Sequence, residues 1–554
     1  MSSSSSRSSW YATRRRFLAL STAASATALF PGIGWAYPAG AKQPAPETPP
    51  GTAARASNAL SASPVPKDEP IAMAALAAAK AAGASYADAR LVRYRTESIS
   101  VRDDHIDNVR HADEYGLGVR VIADGGWGFA ATYRVDEKSA KAAAIKAVAT
   151  AKRSGKILGV LGREGVTLAP TPVAKGQWVA PHERDPLGVP IADKAAVLVE
   201  ASRKLLELPG VQHSRAGVEI VVEDKLFVSS EGARTHQIVP RLAPSLSATA
   251  IDRRHGLFAS RNLEAAGMQA GWEYVEGLDL VGAAPRVASE ARMKLYAKSV
   301  EPGPRQVILA PSNLWLTIHE SIGHPTELDR AIGLEANYAG TSFIKPEDTG
   351  KLQLGSKLVN FMADRTQPGG LATVAWDDDG VAPGRWPLVE DGVFVGWQTT
   401  RDQASWIGEK ESRGCSYGQG YKGVAFQRMP NVSLQPGPEG YTTEDLINAT
   451  ENGVLISGRG SWSIDQQRYN FQFSGQMFWE IKRGRLIRPL RDVAYQANTV
   501  EFWKSCDMIG GQGTYRLGGT FGDGKGQPSQ SNAVSHGCPP ARFQVNIVNT
   551  GGDK

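Results

Sequence analysis

Through the first half of the chain, apolar positions recur by turns at helical and at strand spacing. Residues 70–82 are Ala-rich and closed by Gly83, which predicts a helix. Residues 89–94 and 98–102 read as strands with 103–107 as a turn. Residues 115–123 and 127–132 flank Asp124-Gly125-Gly126, a hairpin signal. Asp136 is expected to cap a helix running to about Ser154, with Gly155 just past its end. Residues 155–191, interrupted by Pro and Gly, are expected to cross the surface. Residues 192–208 put Val197, Leu198, Ala201, Leu205 and Leu208 on one helical face and stop at Pro209-Gly210. Residues 218–222 and 225–229 predict a hairpin around Glu223-Asp224, followed by a strand at 246–251 and a helix at 285–298. The pattern is α+β, a sheet with helices packed on one face.

Pro302-Gly303-Pro304 is the clearest break. Residues 306–310 then read as a short buried strand, punctuated by Pro311, with Ser312 or Asn313 as helix N-cap. Leu314, Trp315, Ile318 and Ile322 follow at helical spacing. Beyond Ala331 that periodicity thins. Strands are predicted at 372–376, 393–398, 453–457, 469–474, 476–482, 485–491 and 542–549, with a small helix at 443–450. The fold class expected is α+β: an N-terminal α+β domain (68–301), then a mainly antiparallel β domain (302–554) carrying a short metal-binding helix.

That helix holds His319, Glu320 and His324, spaced H-E-x-x-x-H. Neutral imidazoles bind a borderline-soft ion such as zinc, and a neighbouring carboxylate can take a proton from water. The spacing departs from H-E-x-x-H. On a regular helix, i and i+4 lie about 40° apart but i and i+5 about 140°, so the two rings would diverge. Gly323 weakens the helix and Pro325 disfavours helical geometry at His324. His324 is therefore expected at a broken helix end or after a π-bulge, swung back toward His319.

Composition changes the picture mainly at the N-terminus. The formal charge is +6, but Arg7, Arg14, Arg15 and Arg16 lie in the first 36 residues, which hold no acids; beyond them 58 basic residues face 56 acidic ones. No electrostatic case for nucleic acid remains. Arg14-Arg15-Arg16-Phe17-Leu18, the mildly apolar stretch 17–30 and Gly34-Trp35-Ala36 resemble a twin-arginine (Tat) signal. Residues 1–36 are expected to be that signal and 37–67 a disordered linker. The protein would be exported and soluble, periplasmic or extracellular, with no membrane span. Three cysteines make no disulfide framework, although Cys415 and Cys506 could pair.

Several stretches together resemble the TldD/PmbA family of metalloproteases, the older "modulator of DNA gyrase" proteins. They are G-A-S-Y-A-D-A-R (83–90), G-L-G-V-R-V-I (116–122), G-W-G-F-A (126–130), His319–His324 with Glu327, A-G-T-S-F (339–343) and D-D-D-G (377–380). R-M-P-N (428–431) and G-K-G-Q (524–527) complete the set. The resemblance implies a dimer, either a homodimer or a heterodimer with a paralogous subunit. It also implies a zinc-dependent peptidase acting on unfolded or short peptides. Two motif histidines and a third ligand near the C-terminus would hold one ion per chain. The family's third ligand is often a cysteine just before the G-K-x-G-Q segment; Asp523 stands there, and Cys538 is the rival.

In this reading Glu320 is the general base, and His319, His324 and Asp523 (or Cys538) are the metal ligands. Glu327 is either a partner that orients a ligand histidine or a structural salt bridge, and His536 is a candidate oxyanion donor. The alternative is a non-catalytic peptide-binding or assembly subunit, to which the Asp523 departure lends support. Asp377-Asp378-Asp379-Gly380 reads as a β-turn rather than a calcium loop. The glycines at 510–513 do not form a phosphate loop.

Overall fold

The computed structural model describes residues 63–551. The proposed export signal and most of the proposed linker lie outside the described residues. The last linker positions are folded, because Val65 is fully buried and Ser63 Oγ donates to Asp224 Oδ2 at 2.6 Å.

Seven strands make the N-terminal sheet: β1 (Tyr86–Arg102), β2 (His105–Ala123), β3 (Gly126–Thr132), β4 (Lys175–Val179), β5 (Val211–Ser229), β6 (Arg234–Asp252) and β7 (Leu257–Asn262). Their order is β3-β2-β1-β5-β6-β4, with β7 also on β6 and only the β4–β6 pair parallel. Strand alternation divides the faces. Ala89, Leu91 and Ile99 of β1, with Val218, Ile220 and Leu226 of β5, bury against the helices α1 (Glu69–Ala81), α2 (Glu137–Val160), α3 (Ile191–Leu206) and α4 (Leu280–Leu295). The opposite face carries Asp88, Arg90, Arg120, Glu223 and Lys225, all buried against the C-terminal domain.

Three expectations need correction. Glu223-Asp224 is no turn, because β5 runs through it: Glu223 meets Lys225 at 3.1 Å and Arg241 at 3.4 Å, while Asp224, on the other face, meets His236 at 2.7 Å. Strands predicted in two pieces around polar residues are single long strands for the same reason. Gly155 does not end its helix, which continues to Val160. A Cβ there would lie 2.0 Å from Asp124 O, so the residue is a contact with the β2–β3 turn rather than a stop.

In the C-terminal half a ten-stranded sheet is mainly antiparallel. Its centre is Gly303–Leu309, between Ala541–Asn549 (antiparallel) and Asn452–Ser457 (parallel). Lys298–Ser299, just ahead of Pro302, pairs with Arg485–Arg491 of this sheet. Residues 372–376 form no strand, and only Val393–Phe394 of 393–398 does. A Gly-rich hairpin that the sequence reading missed, Arg516–Lys525 with Gln530–Cys538, lies beside the helix α5 (Pro311–Ile318). There Gly518 lacks the side chain that would collide with Trp315. Among the described residues no helix is long and apolar enough to cross a membrane.

Candidate metal centre

The sheet delivers α5 from its central strand into the domain interior. Leu314, Ile318 and Ile322 are fully buried in the main core with Trp503 and Phe543. Ala310, not Ser312 or Asn313, occupies the N-cap position. Those two side chains instead tie the helix start to the sheet: Ser312 Oγ accepts from Gly458 N, and Asn313 Nδ2 donates to the carbonyls of Gly458 and Ser474.

After Ile318 the helix widens into a π turn, His319–Gly323, in which His324 N–H bonds His319 C=O. The extra residue in the turn brings i+5 back over i. Gly323 permits this wide turn to lie on Met429, whose Sδ would be 2.5 Å from an added Cβ. Pro325 then ends the ladder, and Gln398 Nε2 takes the Gly323 carbonyl at 2.6 Å. The two imidazoles converge, with ring centroids 4.5 Å apart.

Each ring has its Nδ1 occupied. His324 Nδ1 donates to Glu327 Oε2 at 2.9 Å. His319 Nδ1 lies 2.8 Å from His536 Nε2, and His536 Nδ1 lies 2.8 Å from the Val432 carbonyl. A carbonyl can only accept, so His536 carries its proton on Nδ1 and receives the His319 N–H on Nε2. Both histidines therefore present an Nε2 lone pair to the same point. His536 has both nitrogens engaged and is fully buried. It cannot serve as the oxyanion donor for which the sequence made it a candidate.

Asp523 completes the group. In its hairpin Thr520 faces Val534 while Asp523 faces Asn532, so Phe521 and Gly522 bulge against Ala533. Directly opposed residues share a face, so the bulge puts Asp523 on the side that also carries Gly518 and His536; a regular strand would turn it away. Asp523 Oδ1 lies 3.8 Å from His319 Nε2 and 3.7 Å from His324 Nε2, and Oδ2 takes Arg428 Nη2 at 3.2 Å. One ligand atom from each of the three residues lies within 4.8 Å of the other two. Two neutral imidazoles and a carboxylate suit zinc.

The electrostatics keep His324 and Asp523 in metal-binding form. Burial, then Arg330 and Arg468, hold the His324 imidazole well below its ordinary value. Burial alone would raise the Asp523 carboxyl, but the charge of Arg428 brings it down and keeps it ionised. Glu327 is likewise driven down against its burial, by Arg330 and by Lys525, which sits 2.9 Å away. Glu327 thus both accepts from His324 Nδ1 and forms salt bridges with Arg330 and Lys525. Glu320 is buried, and its Oε2 accepts from Arg468 Nη1.

Cys538 is not brought to the trio. Its Sγ lies 3.8 Å from the Pro311 carbonyl, and burial pushes the thiol far above its ordinary value. Cys415 and Cys506 are buried and unpaired with each other. Asp377-Asp378-Asp379-Gly380 forms the expected β-turn, Gly380 N to Asp377 O at 3.1 Å, and carries the carboxylates that dock on Arg90, Lys225 and Arg120. The sequence reading assigned no role to Arg428, Lys525 or Arg468. The first two lie inside the quoted R-M-P-N and G-K-G-Q stretches, whereas nothing marks Arg468.

Residues 302–548 match the PmbA/TldA metallopeptidase C-terminal domain, and residues 87–151 match PmbA/TldA metallopeptidase domain 1. A metalloprotease of Methanothermobacter thermautotrophicus is 28% identical over 84% of this chain and 95% of its own length. A zinc metalloprotease TldD homologue of Saccharolobus solfataricus is 22% identical over 85% and 97%. Among solved structures, a putative modulator of DNA gyrase from Bacteroides thetaiotaomicron has the same fold. Its TM-score is 0.66 at 16% identity, covering 87% of this chain and 98% of that one. TldE from Thermococcus kodakarensis gives 0.61 at 16%, covering 86% and 99%.

Proposed function

From a chain that belongs to the PmbA/TldD metallopeptidase family, we propose a zinc-dependent peptidase that cleaves unfolded or short peptides. One observation carries the reading: two Nε2 lone pairs and Asp523 Oδ1 converge, while Glu327, His536 and Arg428 engage the other side of each ligand. His319, His324 and Asp523 would hold the ion. When bound, zinc supplies Lewis acidity toward a peptide carbonyl and toward water. Glu320 takes the proton of the attacking water on its carboxylate and returns it to the leaving amine. Being adjacent to His319 in the chain, it is carried by the same π turn as the ligands. Glu327 and His536 fix the tautomers of the ligand rings, so neither histidine must reorient to bind the ion. The protein acts as a dimer, with itself or a paralogue, after export by the twin-arginine route.

The test is zinc content beside cleavage of an unstructured peptide, in wild type and Glu320→Gln. Turnover in the wild type, lost in the variant with one zinc per chain retained, is the expected result. The second reading, a peptide-binding subunit, draws on the Glu320–Arg468 ion pair, which engages the base. Zinc retention with no turnover in the wild type, alone or with its paralogue, would establish that reading instead.

A further inference from the structure

The ion pair that favours the second reading is also the least explained feature of the site. Arg468 lies in the loop joining Trp462–Ile464 to Asn470–Ser474. Its backbone is left-handed, φ 65°, at a hairpin position where glycine or asparagine is the usual occupant. The loop holds it there: Arg468 N bonds Asp465 O at 3.0 Å, Thr499 Oγ1 donates to Arg468 O at 2.8 Å, and Asp465 Oδ1 accepts Tyr469 N at 2.8 Å. Residues 341 and 343 pair with the same loop through Gln466 O and Gln467 O. A strained arginine this firmly held is a reason to look for function.

Its guanidinium is turned inward and has few partners. Nη1 donates to Glu320 Oε2, Nη2 donates to Ala339 O at 3.2 Å, and Nε is buried without a partner. The Ala339 carbonyl also receives Arg330 Nη1, and Arg330 in turn bonds Glu327, the residue that orients His324. One chain of contacts therefore joins the base, the loop and the outer partner of a metal ligand. The pairing with Glu320 uses one carboxylate oxygen, leaving Oε1 to take a proton.

Resting on the peptidase reading, we propose that Arg468 is a positioning residue for Glu320, holding one carboxylate oxygen so that the other is presented to the attacking water. Arginine suits this because its planar fork grips the carboxylate and the Ala339 carbonyl at once, which a lysine cannot do. The left-handed backbone directs the fork inward from a hairpin tip.

The experiment compares wild type, Arg468→Gln, Arg468→Lys and Glu320→Gln on β-casein, a substrate without stable fold. Zinc content and thermal midpoint are measured for each, and crystal structures of wild type and Arg468→Gln are compared. Arg468→Gln is expected to lower kcat by roughly 10²-fold with KM changed by less than about twofold. One zinc per chain is expected to remain, and the Glu320 carboxylate to be displaced. Arg468→Lys should recover part of kcat. Undiminished kcat in Arg468→Gln, or a Glu320 carboxylate that keeps its place, overturns the proposal. If Glu320→Gln is as active as wild type, the base assignment fails, and the crystallographic comparison still decides whether Arg468 holds Glu320.

Discussion

Two buried clusters combine carboxylates with cations, one between the N-terminal sheet and the C-terminal domain and one inside that domain, yet they are arranged for different ends. At the interface with the N-terminal sheet, Asp378 meets Arg90 and Lys225, both at 2.8 Å, and Arg120 bridges Asp88 and Asp379 at 2.8 and 2.6 Å. Each of these carboxylates has a cation against it. At the candidate metal centre Glu327 is saturated in the same way by Arg330 and Lys525. Asp523 is not: Oδ2 has Arg428, but Oδ1 faces two neutral imidazoles. The interface cluster sets a cation against each carboxylate. The centre keeps three electron-pair donors pointed at one another, an arrangement that repels without a cation. The difference teaches where to expect a ligand: buried charge alone is architecture, and buried charge with an uncompensated set of donors is a site.

The comparison breaks most sharply at the two aspartates. Asp523→Ala should reduce zinc affinity by on the order of 10²-fold or more, beyond the loss typical of an outer partner, and abolish peptide cleavage. Zinc titration against a chelator reads this directly. Full zinc content in the variant would return the third-ligand question to Cys538.

Asp378→Asn should do the opposite, keeping one zinc per chain while costing about 3–5 kcal/mol of stability, because Arg90 and Lys225 lose their partner inside the protein. Burial alone would raise the Asp378 carboxyl, but Lys225 and Arg90 outweigh it and bring it down to about 2. A depressed carboxylate stabilises above its unfolded value of about 3.9 and loses that stabilisation as pH falls through the folded value. Wild type and variant should therefore converge by roughly 1 kcal/mol by pH 3, read by urea unfolding across pH. Parallel curves would show that Asp378 is not held by those cations.

How much of this contrast was legible in the sequence depends on the range over which each signal acts. The π turn was legible because Gly323 and Pro325 act locally on the backbone. The bulged hairpin was not: Gly518-Gly519, Gly522 and Gly524 lower strand propensity and hide the alternation that would mark it. The side on which Asp523 lies depends on register against Asn532, which only pairing fixes. The interface cluster was obscured for a related reason. Glu223-Asp224 looks like a turn until Arg241, Lys225 and His236 are seen to pair it within the sheet. Some helix ends in the N-terminal domain came through, since capping at Asp136 and the stop at Pro209-Gly210 are local, whereas the helix read from 285 to 298 runs from Leu280 to Leu295 with Pro285 inside it. Strand lengths did not, because polar residues buried by long-range ion pairs look like strand ends.

Within the centre, a smaller effect separates ligand from support. Glu327→Gln keeps the size and one acceptor for His324 Nδ1 but leaves Arg330 without its carboxylate and Lys525 with Asp329 alone. Zinc affinity should fall roughly 10–100-fold with stoichiometry intact at saturating metal. An unchanged affinity would reduce Glu327 to a structural salt bridge.

The smallest effect is expected at Cys538, where the sequence offered a rival ligand and the fold puts a hydrophobic contact. The thiol is fully buried in the main core, and its Sγ lies 3.8 Å from the Pro311 carbonyl. Burial raises it above its ordinary value, and its place outside the group formed by the two histidines and Asp523 keeps it from competing for zinc. Cys538→Ala therefore removes one buried sulfur, with a loss of about 1 kcal/mol in urea unfolding and no change in zinc content or cleavage. Loss of zinc in Cys538→Ala, with Asp523→Ala still metallated, would reverse the roles assigned to the two residues. The bulge at Phe521-Gly522 would then need a different explanation from the one that turns Asp523 toward the histidines.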